Sequence, residues 1–469
     1  MKMKSIALPY NPAGSALKGI RGQIVTFSDD PFLTQADSSY TYIQDGLIVI
    51  QDGIILDVDE YAKIKDTYPT LTDIDHHQDS VILPGFVDCH VHYVQSPMIG
   101  SFGDTLLQWL NEYTFPTEAK YKDKAFADDV AKMFFKQVLQ QGTTTANVFS
   151  TTFATSVDAF FEESERYNTR MITGKVFQDR NLPDSLKDES AEESIEIAES
   201  LLKKWHNKGR QIYSIIPRFA PTSTEKQLML AGELYQRHID EGVIMHTHLN
   251  ESTGEVSWVN ELFPQFDNYT DVYKAYGLID RKSLLAHSCL MKEEEWQTLH
   301  MAQCGCAHCP SSNLFLGDGE FKVWEAKDPQ RPVRVGIGTD VGGGTNFSIP
   351  RQLNEAYKVS MLKRKNISAV HSFYLATRGG AEALHLENSI GSIAPGYEAD
   401  IAVLDLKPSE FVEWRMKFTE SIMDKLFVLQ TLALDNMNKA TYVAGNKVYD
   451  RDRKDKPFMY AEEFKPVKK

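Results

Sequence analysis

A chain of 469 residues, 42% hydrophobic and 25% charged, can bury a large core, and this balance excludes the disordered classes. Its length suits a barrel of roughly 250 residues plus a satellite unit. Sixty-five acidic against fifty basic residues leave a net charge of −15, which repels phosphate backbones and anionic membranes, so neither nucleic acid nor a membrane is expected as partner.

The N-terminus, MKMKSIALPYNPAGSALKGIRG, has no apolar stretch long enough for a signal peptide. No later run approaches the roughly 20 apolar residues of a membrane span. A cytoplasmic protein with a neutral or cationic small substrate is the expectation. Residues 1–82 alternate short β-like runs with turns, and Asp52-Gly53 sits between two apolar runs as a hairpin turn would. From residue 83 to 389 the texture changes to strands alternating with helical segments. One of these is SAEESIEIAESLLKKWH, where Ile195, Ile197, Leu201, Leu202 and Trp205 are expected to share a face. Eight candidate strands follow in order: GFVDC, TTTANVF, MITGKVF, YSIIPRF, VIMHTHL, SLLAHS, GCAHCP and VRVGIGTD. Eight alternating units predict an α/β fold, a closed (β/α)8 barrel. Residues 390–469 return to short strands punctuated by Gly391, Gly396 and Gly445, and are expected to pair with the first 82 residues in one small composite β-sandwich.

In such a barrel, catalytic side chains sit at the C-terminal ends of the strands. Ionisable residues recur there: His90 and His92 on the first, Arg218 on the fourth, His248 on the fifth, His287 on the sixth and Asp340 on the eighth. His90 and His92, two apart, project to the same face. Alone, this H-x-H pair is better read as two hydrogen-bonded structural histidines. The other strand ends tip the balance, because a catalytic zinc takes histidines and a carboxylate and keeps a position for water. His90, His92, His248 and Asp340 would supply three nitrogens and one oxygen. Asp340 could instead cap a helix ahead of VGGG. Glu251, just past the fifth strand, suits a proton carrier with a raised pKa, or else a capping glutamate. His246 also faces inward by alternation, and His248 is preferred for lying nearer the strand end. His287 suits a group beside the attacking water, or a structural histidine.

Five cysteines, three crowded at Cys304, Cys306 and Cys309, do not make a disulfide framework. The Cys306-x-x-Cys309 pair tempts a cytidine-deaminase reading, but Gly305 rather than proline precedes it, and the H-x-E at His385 to Glu387 follows it. Reduced barrel-strand thiols are expected.

The motifs PGFVDCHVH, HTHLNE, LLAHS, GIGTD and GSIAPGYEADIAVLD resemble the amidohydrolase superfamily. Within it, SFGDTLLQWLNEYTFPTEAKY, GKVFQDRNLPD, PRFAPTS, HCPSSNLFLGDG and GTDVGGG resemble the guanine deaminases. The likeness runs from about Gly19 to about Asp450. It implies one zinc per chain on His90, His92, His248 and Asp340, with Fe2+ as the other candidate. Glu251 is then the proton shuttle and His287 stands beside the water. Gln95, Arg218 and Phe219 contact the purine, together with His248, Glu251, His287 and Asp340. The implied reaction is hydrolysis of guanine to xanthine and ammonia by a zinc-activated hydroxide, in purine catabolism or salvage, and relatives of this kind are homodimers. Val94, Gln178 and Cys89 depart from the residues common at their positions. The fourth strand reads IIPRFAP and lacks the lysine of the two-metal members. Other amino-heterocycles, such as 8-oxoguanine, a methylthioadenosine-type nucleoside or a triazine, are alternative substrates, and a non-enzymatic scaffold is the remaining alternative.

Overall fold

The computed structural model describes residue 8 and residues 14–103, 106–432 and 434–464. The N-terminal stretch read for a leader lies partly outside them, as do Asp104 and Thr105 of the SFGDT motif. Strands β1 (Lys18–Phe27), β2 (Tyr40–Gln51), β3 (Ile54–Glu60) and β4 (Asp73–Pro84) come first. Asp52 and Gly53 join β2 to β3 with φ of 52° and 82°, the two left-handed positions that a tight hairpin requires.

At Pro84-Gly85 the chain passes directly into the barrel. Gly85 fits only because it lacks a side chain: a Cβ would lie 2.1 Å from Thr144 Oγ1. Its N–H donates to Asp400 O at 2.8 Å, which ties the corner to the returning C-terminal segment. The barrel strands are β5 (Phe86–His92), β6 (Thr143–Phe149), β7 (Arg170–Gly174) with its short continuation β8 (Val176–Phe177), β9 (Ile212–Pro217), β10 (Ile244–Leu249), β11 (Ser283–His287), β12 (Gly305–His308) and β13 (Arg334–Ile337). They pair in parallel in the order β5-β6-β7-β9-β10-β11-β12-β13, so each of the eight expected segments carries a barrel strand. The ring is completed just past β13, where Asp340 N–H donates to His90 O at 2.8 Å and His92 N–H donates to Val341 O at 3.0 Å. The residues that close the barrel are therefore neighbours of the candidate site.

Two details depart from the sequence reading. MITGKVF is not one strand: it breaks at the buried Lys175, whose Nζ turns aside to pair with Asp188, and β8 resumes the pairing with β9. In the helix Ala191–Trp205 the buried face is Ala191, Ser194, Ala198, Leu201, Leu202 and Trp205, while Ile195 and Ile197 are only partly buried. At 3.6 residues per turn those two isoleucines lie about 200° apart, so they flank the stripe and do not share it.

After the barrel, β14 (Ile401–Asp405), β15 (Asn438–Val443) and β16 (Asn446–Asp450) join the first strands in one seven-stranded sheet, ordered β16-β15-β14-β4-β1-β2-β3. The β2–β3 hairpin folds onto the segment that leads into β14: Ile55 N–H donates to Tyr397 O at 2.9 Å and Ala399 N–H to Gly53 O at 2.8 Å. Ile20, Ile48, Ile82, Ile401 and Tyr442 fill the enclosed space, so both chain ends share one core. Among the described residues no helix is long and apolar enough to cross a membrane.

His77 of β4 is buried in this unit, with Nε2 2.7 Å from the Tyr442 hydroxyl of β15, and burial pushes its pKa down to about 4. The unfolded chain binds that proton near pH 6.5 and the folded one only near 4, so the contribution is complete above pH 6.5 and is lost as pH falls. The slope approaches about 1.4 kcal/mol per pH unit inside that window. His77→Gln is expected to flatten the decline of thermal midpoint between pH 6.5 and 4; an unchanged decline would place the proton uptake elsewhere.

Candidate active site

Strand alternation brings His90 and His92 of β5 to the barrel interior, where Asp340 meets them from beyond β13. His90 Nε2 lies 3.1 Å and His92 Nε2 3.4 Å from Asp340 Oδ1, and His92 Nε2 is 3.2 Å from His248 Nε2. Ligand atoms around one tetrahedral cation with bonds of about 2.0–2.1 Å are spaced about 3.4 Å apart, so these side chains fit a single ion. His90 Nε2 and His287 Nε2 are buried with no hydrogen-bond partner among the described residues, as lone pairs awaiting a common guest would be. His287 also lies within ligand distance of His90 and His248, and a second group of two carboxylates and one imidazole, Glu251, Asp340 and His287, adjoins the first set.

The far side of three of these rings is anchored, which fixes the direction of Nε2. His248 Nδ1 contacts Arg218 O at 2.7 Å, His287 Nδ1 contacts Asn313 Oδ1 at 2.8 Å, and His90 Nδ1 contacts His246 Nε2 at 2.8 Å. In the geometry His248 Nε2 reaches His92 in the cluster, and His246 backs His90. Alternation alone could not assign His246 that part, because both histidines of β10 face inward. His287 and Asp340 hold left-handed backbones, with φ of 69° and 46°, and Asn250 and Ser288 beside them do likewise at 50° and 48°. Non-glycine residues in that region cost of order 1–3 kcal/mol each and gather where geometry serves chemistry.

Burial lowers the pKa of His90, His92, His246 and His248 well below the usual imidazole value, and neighbouring histidines add to the effect. Neutral imidazoles are the form that binds a metal. Glu251 moves the other way: burial, then Asp318, Glu255 and Asp340, raise its carboxyl well above the usual range. Its Oε1 lies 3.5 Å from His287 Nε2, so a protonatable carboxyl and an imidazole lone pair face the same space. Asp318, on the loop after helix Pro310–Leu316, is itself raised to about 7, chiefly by burial.

A pocket opens onto this cluster, lined by Gln95, Arg218, Phe219, Trp109, Leu110 and Leu316 along with His92, His248, Glu251 and Asp340. Phe219 presents its ring to His248 and Trp258 at 6.4 and 6.1 Å, both nearly edge-on. Gln95 sits in the buried helical turn Tyr93–Met98 directly after β5 and lies 3.2 Å from His92 Nδ1 through Nε2. Arg218 forms a buried ion pair with Glu118. Trp109, Leu110 and Glu118 come from the helical run 106–118, whose middle, Leu110–Thr114, is a π-helical turn.

The competing readings of single residues separate clearly. Asp340 caps no helix, since the next one, Ile349–Leu362, is capped by Ser348. Glu251 is buried, and Ser252 caps the helix that follows it. Cys304, Cys306 and Cys309 are buried free thiols, and among the described residues no cysteine belongs to a candidate metal cluster. Of the three departing residues, Val94 packs in the main core, Cys89 donates to Gly380 O at 3.7 Å, and Gln178 Nε2 donates to Leu186 O at 3.3 Å. None of them lines the pocket.

A family model described as "Amidohydrolase family" matches residues 81–448. The chain is 43% identical over 439 residues to guanine deaminase of Escherichia coli (strain K12), covering 93% of this chain and 98% of that one. Its fold is similar to the solved E. coli guanine deaminase, with TM-score 0.89 and 42% identity over 92% of this chain and 100% of that one. It is also similar to the guanine deaminase from C. acetobutylicum, a structure with guanine bound in the active site, with TM-score 0.81 and 26% identity over 92% and 100% of the two chains.

Proposed function

The chain belongs to the amidohydrolase family, and from that premise we propose that it hydrolyses guanine to xanthine and ammonia with one zinc ion held by His90, His92, His248 and Asp340. The observation that carries this reading is a single pocket lined by a purine-reading glutamine, arginine and phenylalanine, Gln95, Arg218 and Phe219, together with His92, His248, Glu251 and Asp340. The 43% identity to a guanine deaminase along nearly both full lengths supports the same substrate.

Three imidazoles and a carboxylate suit zinc, which would bring the ionisation of a bound water near neutral pH and polarise the attacked carbon's surroundings. The chain's own groups do the rest. Arg218 donates and Gln95 hydrogen-bonds to the purine edge, while Phe219 supplies a flat wall, so the ring is held with C2 toward the histidines. His287 Nε2, with Nδ1 directed at Asn313, accepts a hydrogen from the attacking water. Glu251 holds a proton on its raised carboxyl, gives it to ring N3, and carries the next one to the departing amine. Asp340, between His287 and the ring cluster, keeps both aligned. Trp109, Leu110 and Leu316 exclude bulk water.

The deciding assay follows loss of guanine absorbance with stoichiometric ammonia release. Metal analysis is expected to give one ion per chain, and chelation followed by gel filtration to abolish turnover, with recovery on adding zinc. Full activity in a metal-free preparation would overturn the ligand assignment, and a zinc-replete protein inert toward guanine would overturn the substrate. Deamination of a triazine or a nucleoside at a higher rate than guanine would move the substrate class. A scaffold without chemistry has no use for four converging ligand side chains.

A further inference from the structure

The TFPTE motif ends in Glu118, a glutamate with no exposed surface whose carboxylate meets the two polar groups that read the substrate. Its oxygens accept from Arg218 Nη1 at 3.0 and 2.9 Å, and Oε1 also accepts from Gln95 Nε2 at 3.1 Å. Among the described residues these are the hydrogen bonds of the Arg218 side chain, so Nη2 and Nε are left for the pocket. Phe115, on the same helical run, sets its ring 5.7 Å from the guanidinium. A carboxylate only accepts, and it therefore obliges Gln95 to turn its amide nitrogen inward; Gln95 Oε1 then lies 3.4 Å from the Gly342 N–H.

We propose that Glu118 is a positioning residue that sets specificity at C6 of the purine: it locks Arg218 and Gln95 so that the pocket offers a fixed donor to a 6-oxo group and rejects a 6-amino group. The inference rests on the guanine reading above. A guanidinium can only donate, so against a purine edge it needs an acceptor such as the C6 oxygen. A 6-amino group opposes donor with donor and leaves both unpaired in a buried site. That penalty persists only while Arg218 cannot swing aside. An arginine has several rotatable bonds, and here the partner that holds its Nη1 is Glu118. The pairing also offsets the charge at the Arg218 end of the pocket, where a lone guanidinium would favour an anion over a neutral purine.

The test compares guanine with 2,6-diaminopurine, which keeps the 2-amino group but carries a 6-amino in place of the 6-oxo group and, with it, an acceptor N1 in place of N1–H, in wild type, E118Q and E118D, following zinc content and thermal midpoint in each. In E118Q the kcat/KM for guanine is expected to fall about 100-fold, chiefly through KM, while that for 2,6-diaminopurine changes less than about threefold, so discrimination shrinks at least tenfold. E118D, which restores the charge one methylene short, is expected to lie between. Equal losses on both substrates, or an unchanged ratio, would reduce Glu118 to a structural residue and overturn the proposal. A wild type that does not turn over guanine would instead overturn the reading beneath it. If E118Q does not fold, the narrowed ratio is read in E118D. If neither folds, wild-type inhibition decides: hypoxanthine is expected to bind at least about tenfold tighter than adenine, and equal inhibition constants would sink the C6 rule.

Discussion

His248→Ala is expected to lower kcat/KM for guanine by about 10³-fold or more, because it removes one of the four side chains proposed to hold the metal and with it the several kcal/mol that a catalytic ion would supply. His248 is the right residue for this test because its orientation is fixed from outside the cluster. Nδ1 is spent on Arg218 O at 2.7 Å, so Nε2 has no other use than the space it shares with His92 at 3.2 Å. Zinc content should fall with the activity, while the fold, held by the barrel ladder and the main core, should persist in circular dichroism. His246→Ala makes the contrast. It removes the group behind His90, 2.8 Å from Nδ1, and a loss of such a backing residue is about 10- to 100-fold. If the two variants lost activity equally and kept their zinc, the assignment of His248 as a ligand would be wrong.

The barrel was legible because each of its strands is short, apolar and followed by a helical segment, and because ionisable side chains recur at the strand ends. β5 shows why two of the proposed ligands stood out: all seven of its residues are buried, so two histidines in it at i and i+2 must share the interior face. Alternation gives a face and not a depth. That is why His246 and His248 could be ranked by nearness to the strand end but not given separate tasks. Lys175 and the break it causes were hidden for a related reason, since a buried lysine is tolerated only through a partner, Asp188, that is distant in sequence. Glu118, Trp109 and Asp318 are a harder case. They lie on connecting segments whose path over the barrel mouth is set by tertiary packing, such as the cluster of Met98, Trp109, Leu110, Phe115 and Leu186, and no periodicity reports that path. The TFPTE and LFLGDG stretches stood out only as part of a resemblance, without a task for either acid.

Glu251→Gln is expected to cut kcat by about 10²–10⁴-fold, the range that a positioned general acid–base group contributes, while KM for guanine and zinc content stay near wild type. That split separates it from His248→Ala, where metal and activity leave together. The substitution keeps shape and removes only the capacity to carry a proton. The carboxyl is suited to that task by its surroundings: burial first, and then Asp318, Glu255 and Asp340, raise its pKa, so a proton is held at a pH where an exposed glutamate has lost it. His287 Nε2, 3.5 Å away, borders the same space and can take a hydrogen from water. An amide at 251 can still donate to ring N3, yet it cannot release that hydrogen to the leaving amine and be reloaded. The first half of the reaction is therefore partly supported and the second is not. Single-turnover kinetics should then show guanine bound with wild-type affinity and ammonia released slowly. A variant that kept a tenth or more of wild-type kcat would transfer the proton-carrying task to Asp318 or Asp340, and the same assay on Asp318→Asn would distinguish the two.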